Sequence, residues 1–262
     1  MILRKILSFN LDELNGFKEN IHLFIIIFLG ENMEILSNMG EQEKIATYSP
    51  LDDLLEGGID KKSITQIYGP PGSGKTNISL NVAVHLARED KKVVYVDTEG
   101  GISIDRIKQL AKDDFEKVAK NIIVFQPNNF EEQEEDLGMV SQFVSKHDDV
   151  ELIVLDSAVA LFRIEESKSR ANILGQQMGL LASLAKNYNL AVLVTNQIYA
   201  SFDETIDENA PVGGTILQYW CKTILELKRE ELSTQRIAVL RRHRSIEENV
   251  AVHFSITNNG IE

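Results

Sequence analysis

From Lys44 onward, short unbroken apolar runs alternate with longer stretches whose apolar residues recur every three or four positions. The runs "SITQIYG", "KKVVYVDTEG", "NIIVF" from Asn121, "ELIVLDS" and "LAVLVTNQ" read as strands. Between them, "TNISLNVAVHLARED", Ile104 to Ala111, Glu131 to about Lys146, and Ser167 to Asn187 read as helices. Strands apolar on both faces are covered on both faces, which predicts a largely parallel sheet with crossover helices on each side. From Ile224 the pattern alternates more: "TILELKR", "RIAVLRR" and "VAVHFSI" read as an antiparallel C-terminal extension of that sheet. The fold class is α/β.

Residues 1–43 follow another pattern, with mixed polarity, one apolar run and internal methionines at Met33 and Met39. They read as an appended N-terminal segment ahead of a 44–262 core, or as an over-long start with translation beginning at one of those methionines. The run "IHLFIIIFLG", Ile21 to Gly30, is well short of the roughly 20 apolar residues a spanning helix needs. Arg4 and Lys5 precede an apolar stretch as in a secretory leader, but Asp12, Glu13 and Glu19 interrupt it and no small-residue cleavage pattern follows. The expectation is a cytoplasmic protein with no membrane partner.

Between the first core strand and the helix after it lies "GPPGSGKT", Gly69 to Thr76, which satisfies GxxxxGK(S/T). Gly72 and Gly74 let main-chain N–H groups approach phosphate oxygens that side chains would hold off, and the helix that follows points its positive end at them. Lys75 supplies a point charge to the terminal phosphates and Thr76 a hydroxyl to Mg²⁺. With Pro70, Pro71, Ser73 and Asn77, these residues form the expected site for ATP. At average residue usage, chance yields this pattern in about one chain per hundred of this length, and the strand-to-helix setting makes chance rarer still.

The ends of the other strands supply partners. Asp156 closes "LIVLD", where a carboxylate can hold the magnesium ion through its water shell. Glu99, just past "VYVD", is placed to orient or deprotonate an attacking water, and Gln197, closing "LAVLVTNQ", to bond the γ-phosphate and signal its presence to the next loop. The bland alternatives are a helix cap for Asp156, a loop carboxylate for Glu99 and a strand-ending amide for Gln197.

Composition narrows the function further. Lys and Arg total 27 against 40 Asp and Glu, a net charge of −13, so the surface as a whole does not suit nucleic acid and any contact must be local. Arg163, Lys168, Arg170 and the run "RRHR", Arg241 to Arg244, are the candidate phosphate contacts, with a solvated face or ion pairing to nearby glutamates as the alternative. Tyr199 and Phe202 are candidates to stack on bases, or packing residues. Cys221 is the single cysteine, which excludes an intrachain disulfide and a multi-cysteine zinc site. Beside it, Trp220 reads as the other half of a buried strand pair. His85 and His147 have no Cys or His at ligand spacing.

Taken in order, "TYSPLDDLLEGGI", "GPPGSGKTN", "YVDTEG", "LIVLDS", "NLAVLVTNQI" and "GGTILQYW" resemble the successive motifs of the RecA-type recombinase family, most closely its short archaeal members. The resemblance spans about Lys44 to Glu262. It implies a RecA-like P-loop NTPase core that binds ATP with Mg²⁺, hydrolyses it weakly, binds single-stranded or branched DNA, and acts with a recombinase or other repair protein in recombination and repair. It also casts Glu99, Lys75 and Gln197 as the catalytic set, with Thr76 and Asp156 at the metal.

This chain departs from the family pattern in three places. About 44 residues cannot comfortably hold a helix-hairpin-helix DNA-binding domain with its linker. The nearest match to the Phe-x-x-Ala plug by which members polymerise, Phe28 to Glu31, ends in glutamate. The second DNA-facing loop, Ser201 to Gly214, carries Asp203, Glu204, Asp207 and Glu208 with no Lys or Arg. A helper of a recombinase is therefore the expected role. A filament-forming strand-exchange enzyme and a KaiC-like signalling ATPase are the alternatives on the same core.

Overall fold

The computed structural model describes residues 40–198, 214–230 and 233–262. The chain divides into two units, Met1–Glu41 and Gln42–Glu262. The N-terminal segment up to residue 39, the Phe28 to Glu31 plug candidate, Tyr199, Phe202 and the acidic loop before Gly214 lie outside the described residues.

A small two-stranded sheet, β1 (Lys44–Ile45) against β2 (Ile59–Asp60), with the short helix α1 (Leu51–Leu54) between them, leads into the core. The main chain then runs β3 (Ile64–Gly69), α2 (Lys75–Arg88), β4 (Lys92–Asp97), α3 (Ile104–Ala111), α4 (Phe115–Asn121) and β5 (Ile122–Phe125). It continues through α5 (Phe130–Val144), β6 (Val150–Asp156), α6 (Ala160–Ile164), α7 (Arg170–Asn187), β7 (Ala191–Gln197) and α8 (Gly214–Trp220). It ends in β8 (Cys221–Arg229), β9 (Gln235–Arg242), β10 (Ala251–Thr257) and β11 (Gly260–Ile261). These strands form one nine-stranded sheet in the order β11-β10-β9-β8-β3-β7-β6-β4-β5.

Each central strand buries both faces, as its unbroken apolar pattern requires. On β4, Val93 and Tyr95 enter one core with α2, α3 and α4, and Val94 and Val96 enter another with α5 and α7. The acidic run at Glu131 is a helix start. Asn129 accepts a bond from the Glu132 N–H, and the Glu132 carboxylate accepts from Asn128 N–H, a reciprocal cap that holds the Glu132 carboxyl below its ordinary pKa.

The structure refines the sequence reading in three places. The antiparallel extension begins one strand later than expected, because β8 runs parallel to β3 and turns antiparallel only toward β9. Helices α4, α6 and α8, of 7, 5 and 7 residues, are too short to leave a legible period. Trp220 is not the buried strand partner of Cys221 but the half-buried last residue of α8; a Cβ on Gly179 would lie 3.2 Å from its ring.

Candidate nucleotide site

Strands β3, β7, β6 and β4 are adjacent and parallel, so their carboxyl ends share one edge. Register places Gly69 opposite Gln197 and Asp97 opposite Asp156. Residues expected to act together, far apart in sequence, thus sit along one rim, where open α/β sheets hold their ligands.

Gly69 must be glycine for want of room: a Cβ there would sit 2.4 Å from the Leu227 carbonyl oxygen. Gly74 is the N-cap of α2 at φ 111°, a backbone that side-chain-bearing residues avoid. The first amides of α2 have no carbonyl a turn earlier to bond, so they are donors for an anion. Lys75 curls over the loop and donates to the Gly69 and Pro70 carbonyls at 2.9 and 3.1 Å. Burial lowers its pKa, while the charges of Glu99 and Asp156 pull the other way. Ser73 is fully buried, and its hydroxyl has no partner among the described residues.

Glu99, Gln197 and Arg163 form a chain. The Gln197 Nε2 donates to Glu99 Oε1 at 2.7 Å, and the Gln197 Oε1 accepts from Arg163 Nη1 at 2.6 Å. A single amide therefore ties the expected water-activating carboxylate to Arg163 on α6, one of the candidate phosphate contacts.

Asp156 is 3 % exposed. Its two oxygens accept from the Thr195 hydroxyl and, at 2.7 Å, from the Tyr95 hydroxyl. Burial first, and then the Asp156 charge, raise the Tyr95 pKa well above its usual value, which keeps it a neutral donor. The Asp156–Ser157 peptide is cis.

Two supporting residues had no role in the sequence reading. Asp97 accepts from the N–H groups of Glu99 (3.3 Å), Gly101 (2.9 Å) and Ile102 (3.0 Å), folding the turn that carries Glu99. Thr98 ties the ends of β4 and β6: its hydroxyl donates to the Ser157 carbonyl and accepts from the Ser157 N–H, both at 2.8 Å. Asp97 gave the same signal as Asp156, a carboxylate closing a buried strand. Asn77 has its side-chain oxygen occupied, accepting from Arg106 Nε at 2.8 Å.

The other candidates are mostly engaged in the fold. Arg170 donates to the Glu165 carbonyl and lies 5.1 Å over the Phe162 ring. Arg241 holds the carboxylate of buried Glu226 through two nitrogens, and Arg242 donates to the Gln218 carbonyl at the end of α8. His85 stacks on Tyr48 and His147 lies against Phe143, each at 4.1 Å. Burial pushes the Cys221 thiol up to about 12, out of range for chemistry. Among the described residues, no group of three His, Cys, Asp or Glu could hold a metal by itself.

A parallel sheet with a glycine-built anion cradle at the carboxyl end of β3 and carboxylates on neighbouring strand ends defines a RecA-like core. The chain belongs to the Rad51 family, whose model matches residues 41–262. It is 56 % identical over 233 residues to the DNA repair and recombination protein RadB of Methanobrevibacter smithii, covering 87 % of this chain and all of that one. It is 48 % identical over 233 residues to the protein of the same name from Methanothermobacter thermautotrophicus, again with 87 % and 100 % covered. A crystal structure of the RadB recombinase superposes with a TM-score of 0.73 at 36 % identity, covering 83 % of this chain and 98 % of that one.

Proposed function

We propose that the protein binds ATP with Mg²⁺ at Gly69 to Asn77, hydrolyses it weakly, binds DNA, and assists a recombinase in repair and recombination. The observation that carries this reading is the single rim shared by the cradle, Asp156, Glu99 and Gln197. The relatives' printed role in DNA repair and recombination supports the cellular setting.

The residues fit the metal and the nucleotide. Magnesium is commonly held by one or two protein oxygens together with phosphates, which needs no cluster of protein ligands. Thr76 is the second residue of α2, and a Cβ on Gly101 would lie 3.5 Å from its hydroxyl oxygen, so the turn after Glu99 closes over that atom while leaving it room. When bound, the ion neutralises charge on the terminal phosphates. Thr76 would hold it directly, and Asp156, whose oxygens keep lone pairs beyond their two hydroxyl bonds, through water. Lys75 would leave the loop carbonyls for phosphate oxygens, and Glu99 would align a water.

Gln197 donates its Nε2 to the Glu99 carboxylate and accepts from the Arg163 guanidinium on Oε1, so a phosphate taking the Nε2 donor would release Glu99 and swing the amide that Arg163 holds. This couples the nucleotide to α6, the helix that carries Arg163.

The test is single-stranded DNA binding, with and without MgATP in low and moderate salt, alongside ATP turnover. ATP-dependent DNA binding with slow turnover is expected. No DNA binding under any condition would reject the DNA assignment, and regular helical filaments on DNA would contradict the helper role.

A further inference from the structure

Two cations beside the phosphate loop had no role in the sequence reading, and they come from β8, the strand paired with β3, and from β9 beyond it. Arg229 ends β8, Arg236 lies on β9, and the register sets them directly opposite each other. Like charges paired across two strands repel. Both reach the cradle: a Cβ on Gly72 would lie 3.2 Å from Arg229 Nη1, and one on Gly74 would lie 3.5 Å from Arg236 Cδ. The Arg236 Nε points at the Gly72 carbonyl at 3.4 Å, and its Nη1 donates to the Thr234 carbonyl.

Among the described residues, no carboxylate pairs with either guanidinium, although Asp and Glu outnumber Lys and Arg by 40 to 27 in this chain. Elsewhere the acids are used: Arg88 pairs with Asp114, Arg241 with Glu226, and Lys61 with Glu151. Burial, and then the neighbouring Arg229 charge, lower the Arg236 pKa.

We infer that Arg229 and Arg236 are further ligands of the polyphosphate tail, supplied by the chain's own β8–β9 hairpin, so that one subunit surrounds the phosphates with cations on both sides. The inference rests on the nucleotide reading above. It adds a source of charge that binding alone can use without a neighbouring subunit. A polyphosphate between the two guanidinium groups turns their mutual repulsion into shared attraction. Gly72 must then be glycine for a second reason, since a side chain would block Arg229.

Isothermal titration of the full-length protein with MgATP and MgADP tests this in the parent and in Arg229→Gln, Arg236→Gln and the double variant, across a salt series. Each single change should weaken MgATP binding about tenfold, the weight of one charge-assisted hydrogen bond. The double change should also flatten the salt dependence, and Arg236→Lys should recover part of the loss. A structural role would leave the salt slope unmoved, so weaker binding with the parent slope overturns the inference, as does an unchanged dissociation constant in the double variant. A parent protein that binds no MgATP defeats the nucleotide reading itself and takes this inference with it. Far-ultraviolet circular dichroism of each variant confirms that lost binding is read on folded protein.

Discussion

The chain has two concentrations of positive charge at the antiparallel half of the sheet, and they are used in opposite ways. The run "RRHR" is the more conspicuous in sequence, yet Arg241 is committed to Glu226 and Arg242 to the Gln218 carbonyl, while the His243 ring faces Asp60. Arg229 and Arg236 stand apart in sequence and draw no notice there, yet they meet at the phosphate loop with no acid paired to either among the described residues. A run of basic residues is therefore a poor guide to available charge: what counts is whether the fold has already supplied the counter-charge.

The largest effect should fall on the phosphate side. Lys75→Ala should weaken MgATP binding at least 100-fold, the order expected when a buried cation facing a triphosphate is removed, with an unchanged thermal melt. Titration calorimetry and melting read the two halves of that statement. Glu99→Gln should leave affinity intact and lower ATP turnover by about 10²-fold, the usual weight of a general base; phosphate release assays give the rate. Turnover at the parent rate would assign the water to another residue.

On the other side the effects should appear in stability. Arg241→Ala leaves buried Glu226 to Lys228, 3.6 Å from the same oxygen, a loss of about 2 kcal/mol after discounting for the Arg241 side chain's 35 % exposure. The melting temperature should drop by about 5 °C. If Arg241 served DNA instead, the melt would hold and DNA affinity would fall.

The smallest effect is one of pH. His243 has a side chain 3 % exposed, with Nδ1 accepting from the Ser245 and Ile246 N–H groups at 3.2 Å and Nε2 facing Asp60 Oδ2 at 3.3 Å. The ring is thus neutral, with its hydrogen on Nε2. Burial lowers its pKa against the opposing pull of Asp60. The unfolded chain then binds the proton more readily, so this contribution to stability is full above about pH 6.5 and is lost as pH falls toward the folded value. His243→Gln should flatten the melting temperature against pH between 7 and 5. A slope equal to the parent's would place the titration elsewhere.

The legible parts of the molecule were those with a local code. The strands around Val93 to Val96 and Ile153 to Leu155 are unbroken apolar runs, and Gly69 to Thr76 announces its backbone geometry through glycine and lysine at fixed spacing. Asp156 could be singled out because it ends such a run, and Glu99 because it lies just past one. What escaped depends on contacts across the sheet: Thr98 tying β4 to β6, the Gln197 amide between Glu99 and Arg163, and the two arginines that meet only because β8 and β9 pair. Helix α8 escaped for a different reason, since seven residues ending in Tyr219 and Trp220 give no period and run directly into a strand.

The most direct measurement for the whole account is a crystal structure of the protein with magnesium and a non-hydrolysable ATP analogue. The account predicts the triphosphate against the main-chain amides from Gly72 to Thr76, with the metal at the Thr76 hydroxyl. A nucleotide bound away from Gly69 to Thr76, with that loop left bare, would contradict it.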